Sequence, residues 1–342
     1  MVALAISYEI QCRFTAAVPV MAKGFNHAIQ LAMSAAASAG KLFGLSVGQI
    51  ANAIAIATAD NISLACIHVE PVSQWKGFSP GWTGMRAVYA ASLAQRGFTG
   101  PKGLFEGPYG LQLMFDQVIA ADWQDPSLEI IKQTVLKKYC ALIHGQAGIE
   151  ATLDLMRRNH LSAAEVEHVR CDVFQGAYEF AGGGYYGSKD HPQNKEQGDY
   201  NLRYQIAAAL LDGEVGPDQL QEVRIRAADA QAMVGRIEVK PDKDFTARYP
   251  KELCARITIQ TKDGRMFTKE QLDYEGGLAN PLSWDRVVEK FHWLSEPFAD
   301  ENLRARIVTA VHQLDSIPIS DLMKLLAQVQ PAAIFPRTRH GI

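Results

Sequence analysis

The segment Ala28–Leu42 is the feature that most limits how this chain can fold. Its sequence, AIQLAMSAAASAGKL, is apolar nearly all round, and alanine, serine or glycine stands where large side chains would be expected. A helix of this kind shows little polar surface to water and can approach neighbouring helices closely. The pattern therefore predicts a helix buried in a bundle, and we interpret its alanines as core packing.

More helices are expected on either side of this segment. Ser46, with Gln49 in the capping-box position, predicts a helix over Val47–Ala59. Another is predicted from Gly81 to Gln95. The first ten residues, MVALAISYEI, are interpreted as a core helix and not as a signal peptide, because no basic residue precedes the apolar run and charged residues follow at once.

The pattern changes after a passage rich in glycine, proline and aromatic residues, which spans residues 97–125. Residues 145–158 and 201–211 have helical patterns, and residues 166–174 alternate as a strand does. Residues 255–261 and 265–271 flank an Asp-Gly turn and predict a hairpin. Helical patterns return after Ser283, over residues 286–291, 302–314 and 319–326.

These patterns predict a mainly α fold that includes an α+β domain. We expect a helical bundle domain from residues 1–120 together with residues 280–342. A smaller α+β domain, residues 121–279, is expected to be inserted between them.

Composition excludes several classes of function. The formal net charge is −3 and the pI is about 6.3, so no global basic field favours nucleic acid. The five cysteines are far apart and form no CxxC pair, which argues against a disulfide framework, a zinc site or an iron–sulfur cluster and favours a reducing, cytoplasmic location. The nine histidines show no HExxH spacing, and no segment is long and apolar enough to suggest a membrane span.

Two short motifs suggest a binding site for an anion. Lys76 follows Trp75 just before a helical stretch, and His27 closes a glycine-containing turn before another. Helix starts favour anions because unpaired backbone N–H groups and the helix dipole point at the ligand. An ammonium and an imidazole at two such starts predict a pocket for a carboxylate, although most lysines near a helix start are merely solvated.

Several segments in order resemble the MmgE/PrpD family, which includes 2-methylcitrate dehydratase, cis-aconitate decarboxylase and iminodisuccinate epimerase. The matching stretches run through most of the chain: KGFNHAIQLAMSAAASAGKLFGLSVGQIANAIAIA, QWKG, GFTGPKGLFEGPYGL, LKKYCALIHGQAGIEA, KEQGDYNLRYQIAAALLDGEV, YPKELCARITIQTKDGR and NPLSWDRVVEKF. The resemblance implies the two-domain architecture above, with the active site in the cleft between the domains. It also implies a homodimer that needs no cofactor and acts on small di- or tricarboxylates.

The resemblance implies a set of site residues, which we carry over one at a time. His27, Lys76, His144 and Tyr204 are the expected catalytic residues. The expected substrate-binding residues are Lys137, Lys138, Gln146, Asp199 and Arg203. The lysines would neutralise substrate carboxylates, the histidines would move protons, and Tyr204 would protonate a leaving hydroxyl.

Structural alternatives stay open for several of these residues. His144 could cap the helix that follows it, Tyr204 could be a core residue, and one of the paired lysines is expected to be solvated. The remaining histidines are interpreted as surface or structural residues: His68, His160, His168, His191, His292 and His312.

The chain departs from the family pattern in two places. Family members carry an earlier helical segment with a D-x-D-D-T motif and a His-Pro turn, and this sequence starts in what resembles the following helix. In the family motif A-D-H-S-L-P-Y, Tyr200 stands here in place of the histidine, and Arg203 is added.

The leading interpretation is a carbon–oxygen lyase of the 2-methylcitrate dehydratase type, a role in propionate metabolism. The alternatives are a decarboxylase or an epimerase on the same scaffold, and a truncated, non-catalytic homologue or one half of a split enzyme. A chain without the D-x-D-D-T segment is expected to bind carboxylates but to turn over little 2-methylcitrate.

Overall fold

The computed structural model describes residues 1–125 and 127–330. Contacts divide the chain into two units, residues 2–274 and the part that begins at Glu275. The first unit contains an α-helical part followed by an α+β part, and each unit is described by itself.

Small side chains determine how the helical part packs. Its helices are α1 (Val2–Ala17), α2 (Ala28–Leu42), α3 (Val47–Ala59), α4 (Trp75–Gln95) and the short α5 (Leu111–Met114). Helices α2, α3 and α4 meet at a layer of buried alanines, which we call the alanine layer: Ala32, Ala36, Ala39, Ala53, Ala57, Ala87, Ala90, Ala91 and Ala94. A second cluster, with Phe14, Phe25, Met33 and Phe115, packs larger side chains beside it. The predicted burial of α2 is therefore confirmed.

The helix boundaries follow the local signals closely, with one exception. Helix α2 has its predicted bounds, and Ser46 and Gln49 form the predicted capping box at the start of α3. Helix α4, however, begins at Trp75 and not at Gly81, so that Pro80 lies inside it. Pro80, the sixth residue of α4, has no N–H group to donate to the carbonyl of Lys76.

Helix α1 is less buried than the sequence suggested. Only Glu9 and Phe14 are buried along it. Glu9 is held by Arg13 at 2.7 Å and accepts a hydrogen bond from the backbone N–H of Ile130 at 2.7 Å. The segment is a helix, as predicted, but a half-exposed one.

The α+β part is built on a sheet of four strands in the order β2-β1-β3-β4. Strand β1 pairs in parallel with β2 and antiparallel with β3, and β3 pairs antiparallel with β4. In chain order the elements are α6 (Gln146–Arg158), β1 (Val166–Val173), α7 (Gln175–Ala177), α8 (Lys195–Asp199), α9 (Leu202–Asp212), α10 (Glu222–Ile225), α11 (Ala228–Val234), β2 (Ile237–Pro241), α12 (Lys243–Arg248), β3 (Ala255–Thr261) and β4 (Met266–Gln271).

The predicted elements of the α+β part are present, and one strand is added. Helices α6 and α9, strand β1 and the β3–β4 hairpin lie within a residue of their predicted bounds. Strand β2 was not predicted, because it is five residues long, ends in proline and lies at an edge of the sheet. Helix α9 contacts both α6 and α11. Helices α6 and α9 also pack on the sheet.

The unit from Glu275 contains α13 (Trp284–Ser295), α14 (Glu301–His312) and α15 (Ile319–Leu326). Ser283 and Asp300 cap the first two of these helices. Leu303, Ile307, Ala310 and Leu322 form its buried cluster. The predicted helices are present, while their assignment to the same domain as residues 1–120 stays a prediction.

The predicted fold class, mainly α with an α+β part, is confirmed. Within the part of the chain that the structure describes, no helix has the length and apolar character needed to cross a membrane.

Candidate active site

Lys76 joins the helical part to the α+β part. It lies in the first turn of α4, and its side chain is 12% exposed. The ammonium Nζ lies 2.6 Å from Oδ2 of Asp199, the last residue of α8, and 3.7 Å from the centre of the Tyr200 ring. An ion pair and a cation–π contact therefore hold this lysine in one position.

The surroundings of Lys76 disfavour the protonated, charged form of its side chain. The pKa of Lys76 is lowered, chiefly by burial; the carboxylate of Asp199 raises this pKa, and the charges of Lys195 and Lys137 lower it. A second negative charge at this position would relieve that penalty. The site is therefore electrostatically suited to an anionic ligand.

His68, which the sequence indicates as a surface or structural residue, is buried beside Tyr200 and Lys76. It is 5% exposed, its ring is stacked on Tyr200 with centres 5.2 Å apart, and it also contacts Phe180 at 5.1 Å. Burial and the charges of Lys76, His27 and Lys189 lower the pKa of His68 to about 4. No sequence pattern predicts this position for His68, because the residue belongs to a short 3₁₀ turn and to no motif.

His144 lies in the turn just before α6. The next residue, Gly145, packs closely against Gln205 and so positions this turn. A Cβ on Gly145 would collide with Oε1 of Gln205, whose amide nitrogen donates to the carbonyl of Asp199 at 2.6 Å. The His144 ring meets Phe174 and Phe180 edge-on, at 5.1 and 5.9 Å. Burial and the charges of Lys137 and His27 lower the pKa of His144 to about 4.

His27 and Lys137 complete the group. His27 is exposed and occupies the N-cap position of α2, and its charge lowers the pKa of both His68 and His144. Lys137 is exposed and acts in the same direction on His144 and Lys76. Electrostatic contacts thus connect five predicted residues: His27 acts on His144, Lys137 acts on His144 and Lys76, and Asp199 acts on Lys76. The structure adds His68 and Tyr200 to this group.

An aromatic wall lines this group of residues. Phe180 lies at its centre and contacts His68, His144, Tyr186 and Tyr200. The Phe180 and Tyr186 rings are 4.4 Å apart. Apolar rings beside cations exclude water, which strengthens each electrostatic interaction in the site.

Other predicted site residues have structural partners. Gln146 is fully buried, and its side chain accepts from the backbone N–H groups of Lys138 and Tyr139, both at 2.9 Å. Lys138 pairs with Glu150 at 3.3 Å, and Arg203 pairs with Asp190. Gln146 therefore shapes the loop that carries Lys137, while binding roles for Lys138 and Arg203 stay predictions.

Tyr204 lies in the core of the α+β part. It is 1% exposed, and its hydroxyl donates to the carbonyl of Gln219. Burial raises the pKa of Tyr204. These contacts favour the core alternative over proton donation to a leaving hydroxyl, and the aromatic residue beside Lys76 is Tyr200.

Among the described residues, no group of three or more histidine, cysteine, aspartate or glutamate side chains is placed to hold a metal ion.

Two sequence models of one family match the chain. The MmgE/PrpD N-terminal domain matches residues 1–123, and the MmgE/PrpD C-terminal domain matches residues 139–316. The chain belongs to the MmgE/PrpD family. The resemblance found from the motifs is therefore confirmed.

Individual members of the MmgE/PrpD family are similar at a low level of identity. The cis-aconitate decarboxylase-like protein oryM of Aspergillus oryzae is 24% identical over 96% of this chain and 70% of its own length. The 2-methylcitrate dehydratase of Salmonella typhimurium is 24% identical over 78% of this chain and 57% of its own length. The cis-aconitate decarboxylase of Aspergillus terreus is 23% identical over 87% of this chain and 64% of its own length. The chain thus spans between 57% and 70% of the length of these relatives.

Proposed function

We propose that this chain binds a small di- or tricarboxylate and catalyses a dehydratase-type elimination of water from it. The convergence of Lys76, Lys137 and the imidazoles of His27, His68 and His144 supports the proposal most directly. Similarity to 2-methylcitrate dehydratases supports the reaction type.

The proposed reaction takes a proton from the carbon next to a carboxylate while the C–O bond on the adjacent carbon breaks. Negative charge builds up on the carboxylate, so a cation next to it lowers the barrier. Lys76 and Lys137 supply that charge in a site partly closed by the aromatic wall.

A base and an acid complete the elimination. His144 is neutral at pH 7, and the negative charges of a bound substrate raise its pKa, which makes it a better base. His27 or the ammonium of Lys76 donates the proton with which the hydroxide leaves as water. The products are the unsaturated acid and water, and both protein groups return to their starting states by exchanging protons with solvent.

Decarboxylation is the second candidate function. A cis-aconitate decarboxylase-like protein and a cis-aconitate decarboxylase match 96% and 87% of this chain, a range that overlaps the 78% and 89% matched by two 2-methylcitrate dehydratases. Loss of carbon dioxide leaves the same kind of charge on carbon, so it uses the same cations but needs a proton donor where elimination needs a base.

We also propose a cytoplasmic homodimer. Helix α4 has an exposed stripe of large apolar side chains opposite the alanine layer: Trp75, Phe78, Trp82, Met85 and Tyr89. Such a patch is a suitable contact surface for a second copy. Light scattering on the wild type and on Met85→Glu tests this point, with a dimer that dissociates in the variant as the expected result.

Binding and product analysis test the proposed activity. Citrate, 2-methylcitrate and cis-aconitate are titrated by calorimetry against the wild type, Lys76→Ala and the control Lys132→Ala, a surface lysine paired with Glu129. Each acid is then incubated with the protein, and water elimination is followed by the ultraviolet absorbance of the new double bond and decarboxylation by released carbon dioxide.

We expect Lys76→Ala to lose about 10²–10³ in turnover, the usual cost of removing one donor aimed at developing charge. The control should behave as the wild type. Failure of the wild type to bind any of the three acids would refute the carboxylate proposal, while carbon dioxide release without water elimination would favour the second candidate.

A further inference from the structure

The hydrogen bonds around Asn26 assign the position of the proton on His68. Oδ1 of Asn26 accepts from the backbone N–H of Ala28 at 2.9 Å, which orients the amide. Its Nδ2 then faces Nε2 of His68 at 2.7 Å and can only donate. Nε2 is therefore the acceptor, and a neutral His68 carries its proton on Nδ1.

That Nδ1–H group is buried without a partner. Among the described residues, no acceptor lies within hydrogen-bond distance of Nδ1 of His68, and the atom is buried. Leaving a buried donor unpaired is unfavourable, because the group loses its hydrogen bond to water and gains none in return. A buried polar group in this state, beside a candidate site, is what a ligand oxygen would satisfy.

The rest of the environment orients His68 without using this donor. Tyr200 lies parallel to the ring at an interplanar angle of 11°, and Lys76 lies over Tyr200 at 3.7 Å. The imidazole is thus fixed by Asn26 at one nitrogen and by Tyr200 across its face. An oxygen that accepts from Nδ1 would lie close to the positive charges that act on this residue, those of Lys76, His27 and Lys189.

We propose that His68 is a substrate-binding residue whose Nδ1–H group donates a hydrogen bond to a carboxylate or hydroxyl oxygen of the bound acid. The inference rests on the proposed carboxylate function and adds to it a neutral, directional donor held in place by Asn26. Lysines attract the anion, whereas His68 orients it.

Paired substitutions separate the two nitrogens of the ring. His68→Asn places an amide near the position of Nδ1, and His68→Gln places one near Nε2. His68→Phe keeps a ring that can stack on Tyr200 and removes both nitrogens. His312→Gln, at an exposed histidine of the other unit, serves as the matched control.

Calorimetric titration with citrate and 2-methylcitrate should separate these variants. We expect His68→Gln and His68→Phe to bind about tenfold to a hundredfold more weakly, the range for a hydrogen bond to a charged group. His68→Asn should recover most of the affinity, and the control should match the wild type. Thermal unfolding of all variants shows whether a loss of binding reflects a loss of fold.

¹⁵N NMR of histidine-labelled wild-type protein provides an independent measurement. The expected result is a protonated Nδ1 on His68 in the free protein, whose resonance shifts when citrate is added. A proton on Nε2, or wild-type affinity in His68→Gln, overturns the inference while leaving the carboxylate proposal intact. A wild type that binds neither acid overturns both.

Discussion

The alanine layer of the helical part and the core of the α+β part are both buried, but they are built from side chains of different size. Between α2, α3 and α4 the buried residues are alanines. Around the sheet they are branched and aromatic residues, among them Val169, Ile257, Phe174 and Phe245. The contrast shows which kind of substitution each region can tolerate.

A substitution lowers stability for different reasons in the two kinds of core. Alanine loses no side-chain entropy on burial and lets helices approach closely, but it leaves no room for added atoms. A large side chain contributes more burial and leaves a cavity when it is shortened. The helical part should therefore be sensitive to enlargement, and the α+β part to truncation.

The candidate site draws on both regions. The helical part contributes His27, His68 and Lys76, and the α+β part and the segment before it contribute Lys137, His144, Asp199 and Tyr200. Apart from Lys137, which lies in a loop, these residues lie at helix ends or in the turns beside them.

Truncation in the sheet should have the strongest effect on stability. Ile257, in β3, is fully buried between strands β1 and β4. Ile257→Ala should lower the free energy of unfolding by about 2–5 kcal/mol, measured by urea denaturation. Val223→Ala, at an 82% exposed position, is the control and should change it by less than about 0.5 kcal/mol. Equal effects at the two positions would contradict the cavity argument.

Acid should weaken the junction that both regions share. His68 and His144 have pKa values of about 4 in the folded chain, against an ordinary value of 6.5. Between these values the unfolded chain binds more protons, so the stability present above pH 6.5 is lost as pH falls towards 4. The expected loss is on the order of 2 kcal/mol per histidine between pH 7 and pH 5.

Urea denaturation at several pH values measures that loss, and NMR titration of the two imidazoles measures its cause. The double variant His68→Gln, His144→Gln should flatten the dependence over this range. Midpoints near 6.5 for both imidazoles would show that burial does not hold them neutral.

Enlargement in the alanine layer should have a smaller but clear effect. Ala91, in α4, is fully buried. Ala91→Leu should destabilise the chain by about 1–3 kcal/mol, because close-packed helices must move apart. The exposed Val88→Leu on the same helix should be nearly neutral in the same denaturation experiment. A stabilising Ala91→Leu would mean that the layer contains unfilled space.

The smallest loss of stability is expected at Tyr204. The variant tests whether this residue belongs to the core or to the candidate site. Tyr204→Phe removes the hydroxyl that donates to Gln219 and should cost about 1 kcal/mol of stability. Tyr185→Phe, at an 84% exposed residue, is the control. Affinity for citrate should not change in either variant, and a large loss of turnover in Tyr204→Phe alone would restore its predicted catalytic role.

Local sequence signals were enough for most elements of the fold. Helix α2, the Ser46 capping box and the β3–β4 hairpin follow from periodicity and turn residues within a few positions of one another. Strand β2 could not be found in this way, because a short edge strand gains its stability from pairing with β1. Helix α4 begins at Trp75, earlier than the predicted Gly81, and includes Pro80, a residue that usually ends a helical pattern.

The sequence by itself determined the family, the class of fold and the residues that carry charge into the site, since these depend on motifs and local patterns. Only the tertiary structure decided which of those residues meet. It separated Tyr204, whose hydroxyl is used inside the core, from Tyr200, which lies against Lys76. It also brought His68 to the site. Burial and contacts with residues distant in the sequence determine the pKa of this imidazole, and neither can be read from the residues next to it in the chain.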